Sequence, residues 1–116
     1  MDQGPQIIVT ETLRPHPLQA PLFEGADFGD IPISFFAVDA PPGMGPKLHR
    51  HPYAEIFVVH EGTAAFQVGD DRLEVTGGHI VIAPANVPHK FENAGEGWLR
   101  LTNIAPGART ETEWLE

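Results

Sequence analysis

The sequence contains no cysteine, and it carries only 7 lysines and arginines against 16 aspartates and glutamates. The lack of thiols excludes a disulfide scaffold, a thiolate zinc site, an iron–sulfur cluster and a cysteine nucleophile. The formal net charge of −9 argues against nucleic acid as a partner, because phosphate contacts require clustered basic side chains.

Long apolar runs are also missing. No stretch approaches the roughly 18 apolar residues that suggest a membrane span. The first residues have neither the basic region nor the apolar core of a signal peptide. A length of 116 residues suits one domain. We therefore expect a single soluble domain that lies in the cytoplasm and has no membrane partner.

Glycine and proline, with 12 residues of each, divide the chain into short segments. No segment repeats apolar residues at helical spacing over several turns, so we expect little helix. Four prolines interrupt residues 1–30, which we interpret as an N-terminal arm. Within this arm, residues 7–9 could form a short strand.

From residue 31 onward, β-rich stretches alternate with turns. Stretches with strand character lie at residues 33–38, 55–59, 63–68, 73–75, 80–82, 89–91 and 98–104. Short strands with a turn about every 8–12 residues indicate a sandwich or a small barrel. We therefore predict an all-β barrel over residues 31–105, followed by a C-terminal tail over residues 106–116.

A pair of histidines, His49 and His51, stands two residues apart. On a strand, both imidazoles would leave the same face, about 6–7 Å apart along the backbone. Glu55 follows just after Pro52, where a tight connection could bring a carboxylate alongside. Imidazole nitrogens with one carboxylate suit Fe, Mn, Co, Ni or Zn rather than Ca or Mg. Such a histidine pair also occurs commonly without a metal, so the surrounding residues have to decide.

The spacing around the pair matches a known motif. Gly43, His49, His51, Glu55 and Gly62 are separated by five, one, three and six residues. This is the first motif of the cupin superfamily.

The second cupin motif is matched further along the chain by Gly78, Pro84, His89 and Asn93. Residues 63–77 separate the two motifs, a length typical of compact cupins. The sequence therefore resembles a small single-domain cupin, and the two motifs cover residues 43–93.

One position departs from the pattern, because Asn86 stands where the second motif usually has glycine. Glycine is favoured where a turn needs positive φ, and asparagine tolerates that region best after glycine. The departure therefore leaves the expected fold and metal site unchanged.

The resemblance implies a double-stranded β-helix, or jelly-roll barrel, with one divalent transition metal ion per chain (Fe, Mn, Ni, Co or Zn) in its wide mouth. Carried over position by position, the implied metal ligands are His49, His51, Glu55 and His89. The motif glycines and Pro84 become turn formers, and Asn93 is expected to bind backbone at a strand end. The histidines outside the motifs, for which we expect no chemical role, are His16, His60 and His79.

An apolar lining is expected at the barrel mouth, which suits a small organic molecule, although the same residues could equally fill the core. The residues expected to point inward are Phe35 or Phe36, Phe57, Phe66, Ile80 or Ile82, Phe91, Leu99 and Leu101. Two residues are candidates for a catalytic role. Lys47 could hold an anionic substrate or be a surface charge. Tyr53 could donate a proton near the metal or lie at the rim.

Three functions remain open for a metal-binding cupin that acts on a small molecule. We place first a dioxygenase-like oxidoreductase, in which the substrate chelates Fe(II) through adjacent oxygens and O₂ takes the remaining site. An isomerase or lyase would use the metal only as a Lewis acid. A non-catalytic binding module is the third. The fold alone does not choose among them.

The exposed edge strands of a small barrel are an aggregation hazard unless they are covered. Residues 7–9 of the arm are a natural cover. We therefore expect a homodimer in which this segment crosses to the partner.

Overall fold

The structure, a computed structural model, describes residues 4–116. Within these residues the chain is almost entirely β, with short 3₁₀ helices at Thr10–Leu13 and Gly25–Phe28. The strands are β1 (Leu22–Glu24), β2 (Ile33–Ala40), β3 (His49–Arg50), β4 (Glu55–Glu61), β5 (Thr63–Val68), β6 (Asp71–Thr76), β7 (His79–Ala83), β8 (His89–Asn93), β9 (Leu99–Pro106) and β10 (Glu113–Trp114). No helix among the described residues has the length and apolar character needed to cross a membrane.

The strands form two five-stranded antiparallel sheets that enclose the core. The first sheet has the order β1-β2-β9-β4-β7, and the second has the order β10-β3-β8-β5-β6. Successive strands repeatedly change sheet, as in β3 to β4 and β6 to β7. The predicted all-β, double-stranded β-helix is confirmed.

Alternation along the strands decides which side chains enter the core. In β4, Glu55, Phe57 and Val59 are buried, whereas Ile56 and His60 between and beyond them are exposed. The two-residue period of a strand places every second side chain on the inner face. Glu55 therefore points inward because it shares parity with two core residues.

Three aromatic rings from both sheets form the centre of the core. Phe57 packs edge to face against Phe66 and Phe91, with ring centroids 5.1 and 5.7 Å apart. Leu99 and Leu101 complete the same cluster. These five residues, expected to line the mouth, are buried within the hydrophobic core.

The remaining lining residues separate by parity. Phe36 lies on the inner face of β2, because it shares parity with the buried Ser34 and Ala40. The expectation that Ile80 or Ile82 points inward is wrong, since they are 65% and 62% exposed. The intervening Val81 is the inward residue. An Ile-Val-Ile run is apolar at every position, so its composition does not reveal which face is buried.

Tight turns connect the strands at positions of positive φ. Asn86 has φ of 65°, which confirms that asparagine here replaces the usual glycine in a left-handed conformation. Gly62, between β4 and β5, has φ of 94°. A Cβ at that position would lie 2.5 Å from the carbonyl oxygen of Trp98, so only glycine fits.

The segments before and after the predicted barrel each contribute one strand to the sheets. β1 lies within residues 1–30 and pairs with β2, and β10 lies within the C-terminal tail and pairs with β3. Residues 7–9 form no strand, and the chain turns instead into the 3₁₀ helix at Thr10–Leu13. The reason is physical: among the strands of the described residues, none pairs with residues 7–9 to complete a ladder.

Candidate metal centre

Three histidines and one glutamate meet at one end of the barrel. His49, His51, Glu55 and His89 each offer a ligand atom, and these atoms all lie within 4.8 Å of one another. All four residues are buried, at 5% exposure or less. The structure therefore brings together the four residues that the cupin motifs singled out.

The two sheets share the construction of this cluster. His49 on β3 pairs directly with His89, the first residue of β8, in the second sheet. Glu55 is the first residue of β4 in the first sheet. His51 follows β3, where its backbone carbonyl accepts a hydrogen bond of 2.7 Å from the N–H of Asn86. The donors thus converge from both sheets.

Each imidazole is oriented by a hydrogen bond from its Nδ1 to a backbone carbonyl. The acceptors are Lys47 for His49 at 2.6 Å, Glu111 for His51 at 2.7 Å, and Val87 for His89 at 2.9 Å. A carbonyl accepts only, so in the neutral rings Nδ1 carries the proton. The lone pair is then on Nε2. This is the usual arrangement of metal-binding histidines.

The carboxylate of Glu55 lies between two of these rings. Its Oε1 is 3.1 Å from Nε2 of His89, and its Oε2 is 3.4 Å from Nε2 of His51. Nε2 of His51 is buried, and among the described residues it has no hydrogen-bond partner. A buried polar atom without a partner is costly unless something else satisfies it. The cluster therefore fits a transition metal ion, which takes imidazole and carboxylate donors.

Electrostatics keep Glu55 ionised despite its burial. Burial is the largest single influence and raises the pKa of this carboxyl, but the close contacts and charges of His51 and His89 outweigh it. Together they lower the pKa of Glu55 from 4.5 to about 2. Glu55 is thus a carboxylate at neutral pH, the form in which it binds a metal.

The histidines respond differently to the same surroundings. For His49, burial is the main influence and lowers its pKa. For His51, burial again has the largest effect and favours a lower pKa, but Glu55 and the Glu111 carbonyl oppose it and the net shift is upward. The neutral form that coordinates a metal is therefore favoured at His49.

The two candidate catalytic residues lie at the periphery of the cluster. The Tyr53 ring stacks on His51 with centroids 5.0 Å apart. Its hydroxyl accepts a hydrogen bond of 3.0 Å from the N–H of Glu111, and burial above all raises its pKa. Lys47 is exposed and lines a groove with Lys90 and Glu116. Its backbone carbonyl, rather than its ammonium group, contacts His49.

The other three histidines lie outside the cluster, as expected. His16 accepts a hydrogen bond from the N–H of Leu18, His60 contacts the hydroxyl of Thr102, and His79 contacts the carbonyl of Thr76. All three are exposed.

Four residues near the site were not identified from the sequence. The carbonyl of Glu111 and the ring of Trp114 contact His51 and His49. Ser34 and Asn103 lie on the inner face of the first sheet, and each has a buried side-chain oxygen with no hydrogen-bond partner among the described residues. No local pattern marks such residues, because their relation to the site arises only from strand pairing.

Comparison with known proteins identifies the family. The family model of the cupin domain matches residues 36–111, which include the whole cluster. The chain therefore belongs to the cupin family.

Individual relatives share the barrel to different extents. An uncharacterized protein of Methanocaldococcus jannaschii is 32% identical over 79 residues, which cover 66% of this chain and 63% of that protein. A cupin-like protein of Thermotoga maritima superposes with a TM-score of 0.72 and 25% identity, covering 81% of this chain and 72% of that one.

The barrel is also similar to one part of a larger enzyme. A Bacillus subtilis oxalate decarboxylase with Mn(II) centres superposes with a TM-score of 0.79 at 19% identity. The match covers 99% of this chain but 35% of that enzyme. At this identity the likeness establishes the fold alone.

Proposed function

We propose that His49, His51, Glu55 and His89 hold one divalent transition metal ion per chain. The observation that carries this proposal is the shared orientation of the three imidazoles, each with Nδ1 bound to a carbonyl and Nε2 left for coordination. The buried carboxylate supplies one negative charge beside them. Imidazole and carboxylate donors without a thiolate are compatible with Fe, Mn, Co, Ni or Zn.

We further propose that the loaded protein is a dioxygenase-like enzyme acting on a small molecule that chelates through adjacent oxygens. A bound redox-active ion would supply electron transfer to O₂ and polarise the substrate oxygens. Four protein donors are fewer than the six of an octahedral ion, which leaves room for such a substrate. The single charge of Glu55 favours the oxidised state of the ion and so assists electron release.

The inner face of the first sheet supports an uncharged substrate. Ser34 and Asn103 are 0% and 7% exposed, and their unpartnered oxygens lie on the same face as Glu55. In strand register, Ser34 is opposite Ala105, and Asn103 is opposite Phe57, the residue two positions after Glu55. Within residues 4–116, no lysine or arginine is buried. Hydroxyl or carbonyl groups of a substrate could satisfy both side chains, whereas a substrate carboxylate beside them would meet no lysine or arginine.

A second candidate is a metal-dependent lyase or isomerase. A barrel of this fold also occurs in an oxalate decarboxylase with Mn(II) centres, so a lyase is the form of this candidate that we propose to test. Such chemistry requires a proton donor or acceptor near the substrate. Tyr53 is the nearest candidate, but its hydroxyl is hydrogen-bonded to the backbone of Glu111. We therefore place this function second and non-catalytic binding third.

Metal analysis and oxygen uptake test these proposals in sequence. Protein made without a histidine tag should contain close to one equivalent of metal after reconstitution. The Fe(II), Mn(II) and Zn(II) forms are then compared with a panel of β-diketones and enediols. Oxygen consumption by the Fe(II) or Mn(II) form, and not by the Zn(II) form, is expected. Conversion of a carbonyl substrate by the Zn(II) form, with no oxygen uptake by any form, would favour the lyase or isomerase.

We also propose that the protein lies in the cytoplasm and forms a homodimer, as expected from the sequence. Fractionation of the host cells tests the location.

A further inference from the structure

β3, which carries His49 and leads directly into His51, has few pairing contacts with its neighbouring strands. β3 is only two residues long, and it pairs with β8 through the single register pair His49–His89. Its other edge is covered by β10, where Trp114 and Glu113 pair with His49 and Arg50. The C-terminal tail therefore supplies two of the three register pairs of this strand.

Residues 110–116, which we call the C-terminal clasp, bind directly to His51. The Glu111 carbonyl accepts the 2.7 Å hydrogen bond from Nδ1 of His51, and Oγ1 of Thr112 lies 3.4 Å from the same nitrogen. The N–H of Glu111 donates to the Tyr53 hydroxyl at 3.0 Å. Because the Tyr53 ring stacks on His51, the clasp restrains this imidazole both directly and through Tyr53.

The clasp also packs on His49. The Trp114 ring packs against the His49 ring at an interplanar angle of 48°, with centroids 5.0 Å apart. On either side of it, Arg50 forms a bidentate salt bridge with Glu113 at 2.8 and 3.2 Å, and the N–H of Leu115 donates to the carbonyl of Leu48 at 2.9 Å. Trp114 is thus held in place along the full length of β3.

His51 depends on the clasp in a way that the other two histidines do not. His49 and His89 donate to carbonyls two residues earlier in the chain, just before their strands begin, whereas the acceptor for His51 lies 60 residues away. The match to the cupin domain ends at residue 111, so residues 112–116 lie outside the segment that defines the family. The clasp therefore begins inside the family match, at Thr110 and Glu111, and its last five residues extend beyond that match.

We propose that the C-terminal clasp positions His51 and His49 for metal binding. This proposal rests on the proposed metal centre. With the clasp in place, Nε2 of His51 is aimed into the cluster before metal arrives. Without it, His51 loses its acceptor and β3 becomes an edge strand that is held by one pair. A partner that orients a metal ligand typically contributes about 10–100-fold to metal affinity.

The first test measures Co(II) affinity by competition with a chelator. A chain that ends at Arg109 should bind Co(II) about 10–100-fold more weakly than the full chain. Trp114→Ala and Tyr53→Phe, which remove the contact with His49 and the hydroxyl partner of Glu111, should each weaken binding by up to about 10-fold. Trp98→Ala is the matched control, because Trp98 is exposed to the same degree as Trp114, at 57% against 59%.

The second test uses the intact chain and does not depend on how well a shortened chain folds. In Trp98→Phe, the only remaining tryptophan is Trp114. Because its ring is 5.0 Å from that of His49, Co(II) at the cluster should quench its fluorescence at the same stoichiometry at which Co(II) binds. In Trp114→Phe, where Trp98 remains, quenching should be much weaker.

The outcomes separate the clasp from the metal centre. The clasp proposal is overturned, and the metal centre stands, if the shortened chain and Tyr53→Phe both bind Co(II) with the same affinity as the full chain. Bound Co(II) that leaves Trp114 fluorescence unchanged also overturns it. If the full chain binds no Co(II), the metal centre fails and the clasp proposal fails with it. An affinity loss in Trp98→Ala equal to that in Trp114→Ala would show a general effect on stability instead.

Discussion

Glu55 is the only carboxylate among the buried residues of the described chain, and its ionisation links the site to stability. Its pKa in the folded protein, about 2, lies below the ordinary value of 4.5. A lowered pKa contributes stability above pH 4.5 that is lost as the pH falls towards 2. The pKa of His51 is raised from 6.5, so its contribution is complete below pH 6.5 and is lost as the pH rises through the raised value.

These two pKa shifts predict how the stability lost in Glu55→Gln varies with pH in metal-free protein. A plot of that loss against pH should be bell-shaped. The variant should be less stable than wild type by at most about 3 kcal/mol, from the shift of 4.5 to about 2. The largest difference is expected between pH 4.5 and 6.5, with smaller differences on either side. Urea unfolding in the presence of a chelator, from pH 3 to 9, measures it. A difference that is constant across this range contradicts the assigned ionisation of Glu55.

Removal of one imidazole should weaken metal binding and leave the fold intact. His89→Ala deletes one of four donors, so we expect the Kd for Zn(II) to rise by about 100-fold or more, beyond the loss that follows from removing a supporting partner. His79→Ala, which removes an exposed histidine on β7, is the matched control and should bind Zn(II) as wild type does. Chelator competition gives the Kd, and circular dichroism checks the fold. Equal affinity in the two variants would rule out His89 as a ligand.

At the scale of strands, the inner face of β4 joins the site to the core. Phe57 follows Glu55 on this face, and its ring centroid is 5.7 Å from that of His89. Phe57→Ala should therefore lower the free energy of unfolding by about 3–5 kcal/mol, the usual cost of removing a buried phenylalanine. Leu18→Ala, at a residue 82% exposed, should change it by about 0.5 kcal/mol or less. Chemical denaturation of both variants provides the comparison, and similar losses would contradict the assignment of the core.

The strands and the four cluster residues could be predicted because their signals are local. The motif spacing fixes His49, His51 and Glu55 within seven residues, and turns at Gly62 and Asn86 identify themselves by residue type. The Ile80–Ile82 stretch was assigned to the wrong face because every residue in it is apolar. The contact between Glu111 and His51 spans 60 residues. It depends on the pairing of β10 with β3, which no local pattern specifies.

One outer face of the molecule is apolar, and the described part of the chain leaves it exposed to solvent. In the middle of the outer face of the first sheet, Ile104 is opposite Phe35 on one neighbouring strand and Ile56 on the other. Ile56 is in turn opposite Ile82. Ile56 and Ile82 are 40% and 62% exposed. The arm adds Ile7 and Val9, which are 95% and 67% exposed. Apolar patches of this kind commonly mark interaction sites.

We propose that a second copy of the chain covers this face, with the arm of each copy lying against its partner. A chain with a net charge of −9 repels its own copy over most of its surface. The centre of this face carries only apolar and uncharged side chains between Phe35 and Ile82, so two copies can approach there without opposing charges.

If this dimer forms, substitution of one residue by lysine and deletion of the arm should each change the mass of the protein in solution. Ile82→Lys should convert the dimer to a folded monomer, because the substituted side chain points outward and leaves the core unchanged. Met44→Lys adds the same charge at a residue that is 49% exposed and lies outside this face, and it should remain dimeric. Deletion of residues 1–12 should give a monomer or insoluble protein, since the apolar face then loses its cover. Sedimentation equilibrium measures all of these species, and a stable, soluble monomer for the unaltered chain would refute the dimer.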